Sequence, residues 1–303
     1  MKPEAQAARD AVLAVLAADR TGLLVKGKDR ISWLNGLVTC ELAKLGPTSG
    51  AYGLIVEKKG RIQTDFFAIP SRAASSSVLA LAVPRDLRDA TLENLDHYLV
   101  MEDAELEATE LVIWLLHGPK AQEVAFATAA AYAGTLPLLG FDGAVVAVPA
   151  AEAATFGEQL GSLVTAAGGL VTDEAAWDAL RIERGVPRFG AGVDATLYPQ
   201  EASLEKLAVS FDKGCYLGQE VIYMLENRGH VKRKLVRLEV DGDAPLRSGD
   251  VVATPEGTVV GDVKSSVVGP EAGRPVAIAM VKWAQAKPGT ELRIGDRGAR
   301  VHA

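Results

Sequence analysis

The chain has 303 residues, 49% hydrophobic and 23% charged, with 32 Lys and Arg against 39 Asp and Glu for a net charge of −7. That length holds one large domain or two to three smaller ones around a sizeable core, and the composition is that of a soluble globular protein. The acidic balance argues against bulk, non-specific nucleic-acid binding and leaves room only for a local basic patch.

Two cysteines, Cys40 and Cys215, are too few for a disulfide framework, which points to a reducing compartment. They also cannot supply a four-cysteine iron–sulfur site. The N-terminus carries Glu4 and Asp10 and lacks a signal-peptide apolar region. The longest apolar runs, such as residues 111–116, have strand length and are too short to span a bilayer. A cytoplasmic protein with no membrane association is expected.

In chain order, "AARDAVLAVLAADR" has Ala8, Val12, Val15 and Leu16 at helical spacing and predicts an amphipathic helix. "TGLLVKG" predicts a strand. "KDRISWLNGLV" returns to helical spacing through Ile31, Leu34 and Val38, with Asp29 as N-cap. "AYGLIVEKKGRIQTDFFAIP" reads as a hairpin whose charged turn ends in Gly60. "SRAASSS" is a small-residue loop and "VLALAV" a strand. Pro84-Arg85-Asp86 opens a helix running through Leu87, Leu95 and Tyr98. A polar strand and the apolar strand "LVIWLL" follow. "HGPKAQEVAFATAA" starts a helix with Pro119 at its first position. "FDGAVVAVP", an Ala-rich helix over 151–167 and "LVTDEAAWDALRIERG" continue the alternation.

No strand is followed by a Gly-rich dinucleotide fingerprint, and the hairpins imply antiparallel pairing, so the fold class is α+β rather than doubly wound. From Val231 the texture changes to short strands between Gly, Pro and Asp turns, with no helical segment. That predicts a small all-β barrel over 231–303 after an α+β region of two subdomains over 1–230.

There is no P-loop, no His-Glu-x-x-His, no Cys-x-x-Cys and no Gly-x-Ser-x-Gly elbow, so a permanent metal site has no support in the sequence. The candidate chemistry centres on "DKGCYLGQE", residues 212–220. Residues 218–227 read as a helix with Gly229 just past its end. Cys215 then sits just before a helix N-terminus and two residues from Lys213, both of which favour a thiolate. Gly214 and Gly218 would let the backbone, with Gln219, approach a ligand closely. The alternative is a small buried hydrophobe in a tight loop.

Asp65, in a strand rich in Ile and Phe, is either a desolvated acid fit for acid/base work or an outward-facing strand residue, which alternation favours. Glu183 reads as a surface ion pair with neighbouring Arg181 or Arg184, and Glu201 as a solvated loop acid. Arg228, His230, Lys232, Arg233, Lys234 and Arg237 form a basic stretch in an acidic chain. It reads either as a solvated strand face or as a holder of an anionic tail or RNA phosphates.

These segments carry a resemblance. "KGCYLGQE" resembles the signature of YgfZ-type folate-binding proteins, which are implicated in iron–sulfur protein maintenance and are relatives of the glycine-cleavage T-protein, an aminomethyltransferase. "ISWLNGLVTCEL" is similar to that family's Phe-Leu-Gln-Gly-x-x-Thr-Asn-Asp segment and "GAYGLIVEKKGRIQTDF" to its Gly-Arg-x-x-x-Asp hairpin. "LRIERGVPRFGAGVD…YPQE" is similar to its Leu-Arg-x-Glu-x-Gly…Pro-x-Glu segment. The resemblance implies three domains around a central channel where tetrahydrofolate binds, with a C-terminal barrel. It implies that Asp65 acts on the folate nitrogen, that Tyr52 and Glu183 contact the pterin, and that Glu201 is the Pro-x-Glu acid. Cys215 belongs to the YgfZ motif, which the T-protein does not share. Thr64 replaces the first of the T-protein's paired acids, and Cys40-Glu41 replaces its Asn-Asp.

Three functions follow as expectations. The first is a tetrahydrofolate-binding accessory protein for iron–sulfur clients or cluster carriers, with Cys215 as the essential thiol. The second is a folate-dependent aminomethyl- or methyltransferase using Asp65. The third is an RNA-binding or RNA-modification module using the basic stretch.

Overall fold

The computed structural model describes residues 1–73 and 76–302. Ala74 and Ser75, inside the expected small-residue loop, and Ala303, at the end of the expected barrel region, lie outside the described residues.

The chain opens with α1 (Pro3–Asp10) and β1 (Leu13–Leu16), so the single helix expected there is two elements. β1 has a strand on each side and Leu13, Ala14 and Val15 are buried; an apolar run buried on both faces fits either period until its partners are known. Next come β2 (Arg20–Lys26), α2 (Arg30–Asn35), the hairpin β3 (Ala51–Val56) and β4 (Ile62–Pro70), and β5 (Val78–Pro84). α2 stops before Val38, which instead bridges to Ile55 of β3. The Asp29 carboxylate does not cap α2 but accepts from the amide of Asp103 at 2.9 Å. α3 (Arg88–Asp96), β6 (Glu105–Thr109) and β7 (Leu111–His117) follow.

α4 (Ala121–Ala127) begins two residues after Pro119, which serves the preceding turn instead of the first helical position. The rest of this region is β8 (Tyr132–Thr135), β9 (Gly143–Pro149), α5 (Ala153–Ala166), β10 (Leu170–Thr172), α6 (Glu174–Glu183), the two-residue strands β11 (Arg188–Phe189) and β12 (Gly192–Val193), α7 (Glu205–Ala208) and α8 (Gln219–Asn227).

Two five-stranded sheets result. One has the order β3-β4-β5-β2-β6, entirely antiparallel; the other has β10-β1-β7-β9-β8, antiparallel except for β1 beside β10. The sheets share one apolar core, with Leu54 and Phe67 from the first and Leu13, Ile113, Leu115 and Val145 from the second. α6 and Leu235 and Ile278, on the outer face of the C-terminal strands, close it. That region runs β13 (Arg233–Val240), β14 (Val251–Ala253), β15 (Val259–Val268), β16 (Pro275–Lys282), β17 (Glu291–Ile294) and β18 (Arg297–Val301). It closes as a barrel in the order β13-β16-β15-β14-β17-β18. A 3-10 turn at Trp283–Gln285 interrupts the expected helix-free tail. Among the described residues no helix is long and apolar enough to cross a membrane.

α6 docks on the second sheet through a buried polar pair. The Trp177 indole N–H donates to His117 Nε2 at 2.8 Å, and His117 is fully buried. Burial pushes the His117 imidazole down from 6.5 to about 3, so it is neutral in the folded protein. The unfolded chain takes up this proton below about 6.5 and the folded chain does not until about 3, so the stability present above 6.5 is lost as pH falls through that window. Chemical denaturation just below pH 6.5 is expected to show a stability loss approaching ~1.4 kcal/mol per pH unit from this residue. His117→Gln should flatten that part of the profile; an unchanged acid limb would assign it elsewhere.

Candidate functional site

Strand alternation along β4 sends Asp65, Phe67 and Ile69 into the core between the sheets, and Phe66 and Ala68 into the core under α2 and α3. Asp65 is therefore 1% exposed, against the outward-facing reading that alternation alone favours. Which face of a strand is buried depends on what packs there, and both faces of β4 are covered. Thr64 is buried too, on the opposite face from Asp65.

One oxygen of Asp65 accepts from Arg20 Nη2 at 2.8 Å and from the Tyr52 hydroxyl at 2.9 Å. Its other oxygen is buried without a partner among the described residues. Arg20, 5% exposed, lies 4.6 Å over the Phe67 ring, whose centroid is 5.5 Å from that of Tyr52. Burial and the adjacent Asp65 carboxylate raise the Tyr52 phenol well above its ordinary value, so it stays a donor. The result is a preformed anion, neutralised by one cation, with an unspent acceptor atom.

Tyr52 also lines a cavity of about 390 Å³, walled by Leu136, Pro137 and Val209 and edged by Cys40, Glu41 and Ser210. On the Arg20 side a slot of about 30 Å³ runs between Phe67, Trp177 and Arg188. Arg188 is held there by Asp19 at 2.9 Å and by Glu174. Sequence reasoning missed Arg20. A buried carboxylate calls for a cation, but no local signal selects one 45 residues away.

The cysteine loop is built by anchors on either side of Cys215. Lys213 is buried and its ammonium donates to the carbonyls of Asn35 at 2.6 Å, Cys40 at 2.7 Å and Val38 at 2.9 Å, and to the Asn35 side-chain oxygen at 3.0 Å. None of these bonds goes to Cys215, so the expected thiolate partner is a clamp on the segment after α2. Burial lowers the Lys213 ammonium from its ordinary value.

Tyr216 is buried beside Lys213, and the amide of Leu217 donates to Gly36 at 3.1 Å. Gly218 has φ +79, and a Cβ there would meet the Glu57 carbonyl at 2.6 Å. Its missing side chain accommodates the β3–β4 turn rather than a ligand. A Cβ at Gly214 would meet nothing within 4 Å, and Gln219 braces the loop by a long bond to the Gly214 carbonyl at 3.5 Å.

Between these anchors Cys215 is exposed, four residues ahead of Gln219, the first residue of α8. This overturns the buried-hydrophobe reading. Cys40 is buried, packed against Gly53, and burial pushes its thiol up to about 12. It remains protonated at neutral pH.

Lys213→Met should remove charged hydrogen bonds worth roughly 1.5–3 kcal/mol each against leaving carbonyls bare. The expected result is a markedly lower unfolding midpoint, with Cys215 alkylated at its wild-type rate in the protein that remains folded. A stable variant with a slowed, pH-shifted thiol would restore Lys213 as activator.

Glu183 and Glu201 lie apart from the Asp65 cluster in what they bind. Glu183, buried at the end of α6, accepts the amides of Glu271 at 2.7 Å and Ala272 at 2.8 Å, tying α6 to the β15–β16 turn. The expected surface ion pair is thus a buried clamp. Glu201 is 7% exposed, accepts from the Tyr198 amide at 3.2 Å and pairs with Arg233 at 3.4 Å. It is not a solvated acid, because the barrel strand β13 covers it.

Residues 233–303 match the glycine cleavage T-protein C-terminal barrel domain. Over 90% of its length the chain is 28% identical to the mitochondrial aminomethyltransferase of Canis lupus familiaris, of which the match covers 73%. It is 29% identical to the "tRNA-modifying protein YgfZ" of Vibrio vulnificus over 77% of this chain and 72% of that one. The glycine cleavage system aminomethyltransferase T from Bartonella henselae superposes with a TM-score of 0.81 at 22% identity, covering 99% of this chain and 87% of that one. These matches bear out the resemblance read from the sequence. The chain is similar to YgfZ-type proteins and to T-proteins, it has the T-protein fold, and its last segment is that fold's barrel.

Proposed function

We propose that this chain is a tetrahydrofolate-binding accessory protein that supports the assembly or repair of iron–sulfur proteins, with Cys215 as its essential thiol. The observation that carries the reading is the separation of two prepared groups. A buried carboxylate with an unspent oxygen stands ready inside the core, and an exposed thiol is held at the surface by a loop anchored on both sides.

The residues fit a folate. Asp65 Oδ1 is a buried acceptor without a donor, which is what a pterin N–H supplies, and Tyr52 and Phe67 give aromatic surface beside it. Bound folate would supply one-carbon chemistry or act as a structural ligand. The chain's own residues position the carboxylate: Arg20 pairs with Asp65, and the Tyr52 hydroxyl donates to the same oxygen and orients it. Glu183 and Glu201 secure the barrel and the loop before α7 around this core.

Cys215 offers a single sulfur. Among the described residues no group of three or more His, Cys, Asp or Glu is arranged to hold a metal ion. The thiolate therefore acts as one ligand in a set completed by the client or carrier that brings the cluster. The YgfZ relatives are named tRNA-modifying proteins, and a cluster-dependent modification enzyme is one such client.

A second reading is one-carbon transfer by the Asp65 centre, favoured by the identity to aminomethyltransferases. The single acid, with Thr64 on the other face of β4, weighs against it. Calorimetric titration with tetrahydrofolate, followed by anaerobic cluster transfer to a client, tests both halves on wild type and Cys215→Ala. Absence of saturable folate binding would remove the first half, and client activation by the alanine variant the second.

A further inference from the structure

Where the barrel meets the C-terminal end of α6, a groove of about 940 Å³ runs past Trp283. Its charge is lopsided in an otherwise acidic chain. The two acids that line it are engaged, Glu183 with backbone amides and Glu271 with Arg184 at 2.5 Å. Lys234 is held by Glu205 at 2.6 Å. Lys206, Arg237 and Lys287 line the groove and form no ion pair with any described residue, and Arg237 Nε is buried without a hydrogen-bond partner. Lys206 and Lys287 thus face the concavity without an ion-pair partner among the described residues, and Arg237 lines it with only the longer-range attraction of Glu239 and Glu183.

The same groove carries an aromatic platform. Trp283 is 38% exposed, and the His230 ring stacks on it with centroids 5.6 Å apart and planes 23° from parallel. The platform is fixed by backbone, because the amide of Trp283 donates to the Lys232 carbonyl at 3.0 Å. Lys234 Nζ lies 5.8 Å from the centre of the indole. An anionic chain alone needs only the cations. An exposed indole among cations adds a surface for a flat, unstacked ring, the combination that single-stranded nucleic acid meets in its binding grooves.

We propose that this groove binds a single-stranded nucleic-acid segment, with a base on the Trp283–His230 platform and phosphates beside Lys206, Arg237 and Lys287. The basic stretch is only partly involved: Lys234 and Arg237 line the groove, His230 backs it by stacking on Trp283, and Arg233 is turned to Glu201. Neither Asp65 nor Cys215 lines the groove, and of its cations only Lys206 also borders the Tyr52 cavity, so Trp283, Arg237 and Lys287 test the inference apart from the folate and thiol readings.

The test is fluorescence anisotropy on the full chain with labelled RNA and DNA single strands of about 12 nucleotides, within the span such grooves cover, and with a duplex of the same sequence. Single strands are expected to bind more tightly than duplex, and the tighter of RNA and DNA identifies the source. Trp283→Ala should weaken binding by about tenfold or more, with Trp283→Phe restoring most of it. Lys287→Gln combined with Arg237→Gln should reduce the salt slope by about 1.4, two phosphates' worth, while leaving the unfolding midpoint near wild type. Unchanged affinity in a folded Trp283→Ala variant would overturn the proposal. So would equal binding of duplex, or equal competition by poly-L-glutamate, because either makes the groove a generic anion surface.

Discussion

Cys215→Ala is expected to bind tetrahydrofolate with wild-type affinity and to lose all support of a cluster-dependent client. The first half follows from where the residue sits. Its side chain is exposed and the loop is held by Lys213, Tyr216, Leu217 and Gly218, not by the sulfur. A surface substitution of this kind changes stability by about 0.5 kcal/mol or less. The second half follows from the proposed role: alanine leaves the loop in place but removes the sulfur proposed to ligate a cluster, and Cys40, buried with its thiol pushed up to about 12, offers no replacement. The measurement is client activity after anaerobic cluster transfer, alongside calorimetry with the folate. Full client activity with the variant would sink the assignment of Cys215.

Asp65→Asn is expected to cost both stability and folate. Arg20 is buried against this carboxylate, and removing one member of a buried ion pair costs on the order of 3–5 kcal/mol because the other charge stays behind. Folate affinity should fall by roughly tenfold to a hundredfold, the worth of a charged hydrogen bond exchanged for a neutral one. A second variant separates the two effects. Arg20→Gln with Asp65→Asn removes both charges, so stability should partly return while folate affinity does not. If the single variant keeps wild-type stability and affinity, the cluster is neither a strained ion pair nor a ligand site. One-carbon transfer by wild type from an aminomethyl-lipoyl donor, lost in Asp65→Asn, would instead favour the transferase reading.

What could be read from the sequence divides along the range of the interactions. The loop around Cys215 was legible because its signals are local: helical spacing with Gly229 beyond placed a helix over 218–227, and α8 spans Gln219–Asn227. The barrel was legible from its regular turns. The helix assigned across Val12 and Val15 failed because β1 is defined by β7 and β10, which arrive about a hundred or more residues later. β8 gave no signal, since Gly134 must lie against Gly50, and a small residue chosen for a close approach has no apolar period.

At the site the same limit holds. Asp65 was identifiable as an acid in an apolar strand, but its face was not. Arg20 and Tyr52 reach it from 45 and 13 positions away. Lys213 stood two residues from Cys215 in sequence, yet its charge is committed to carbonyls 173 to 178 positions distant. Proximity along the chain suggested an activator where the fold needed a tie.

The placement of β1 in the second sheet sets the order in which partner strands become available during synthesis. β1 is synthesised before the whole of the first sheet, but its neighbours β7 and β10 follow it. A nascent chain that has reached Thr109 holds every strand of the β2–β6 sheet and an orphaned β1 whose edges are open. That strand must be carried unpaired until residues 111–117 appear on one side and 170–172 on the other. Vectorial synthesis therefore finishes the sheet that houses Asp65 first, and the Lys213 tie, which needs residue 213 to reach back to Asn35, is fastened only after both sheets exist.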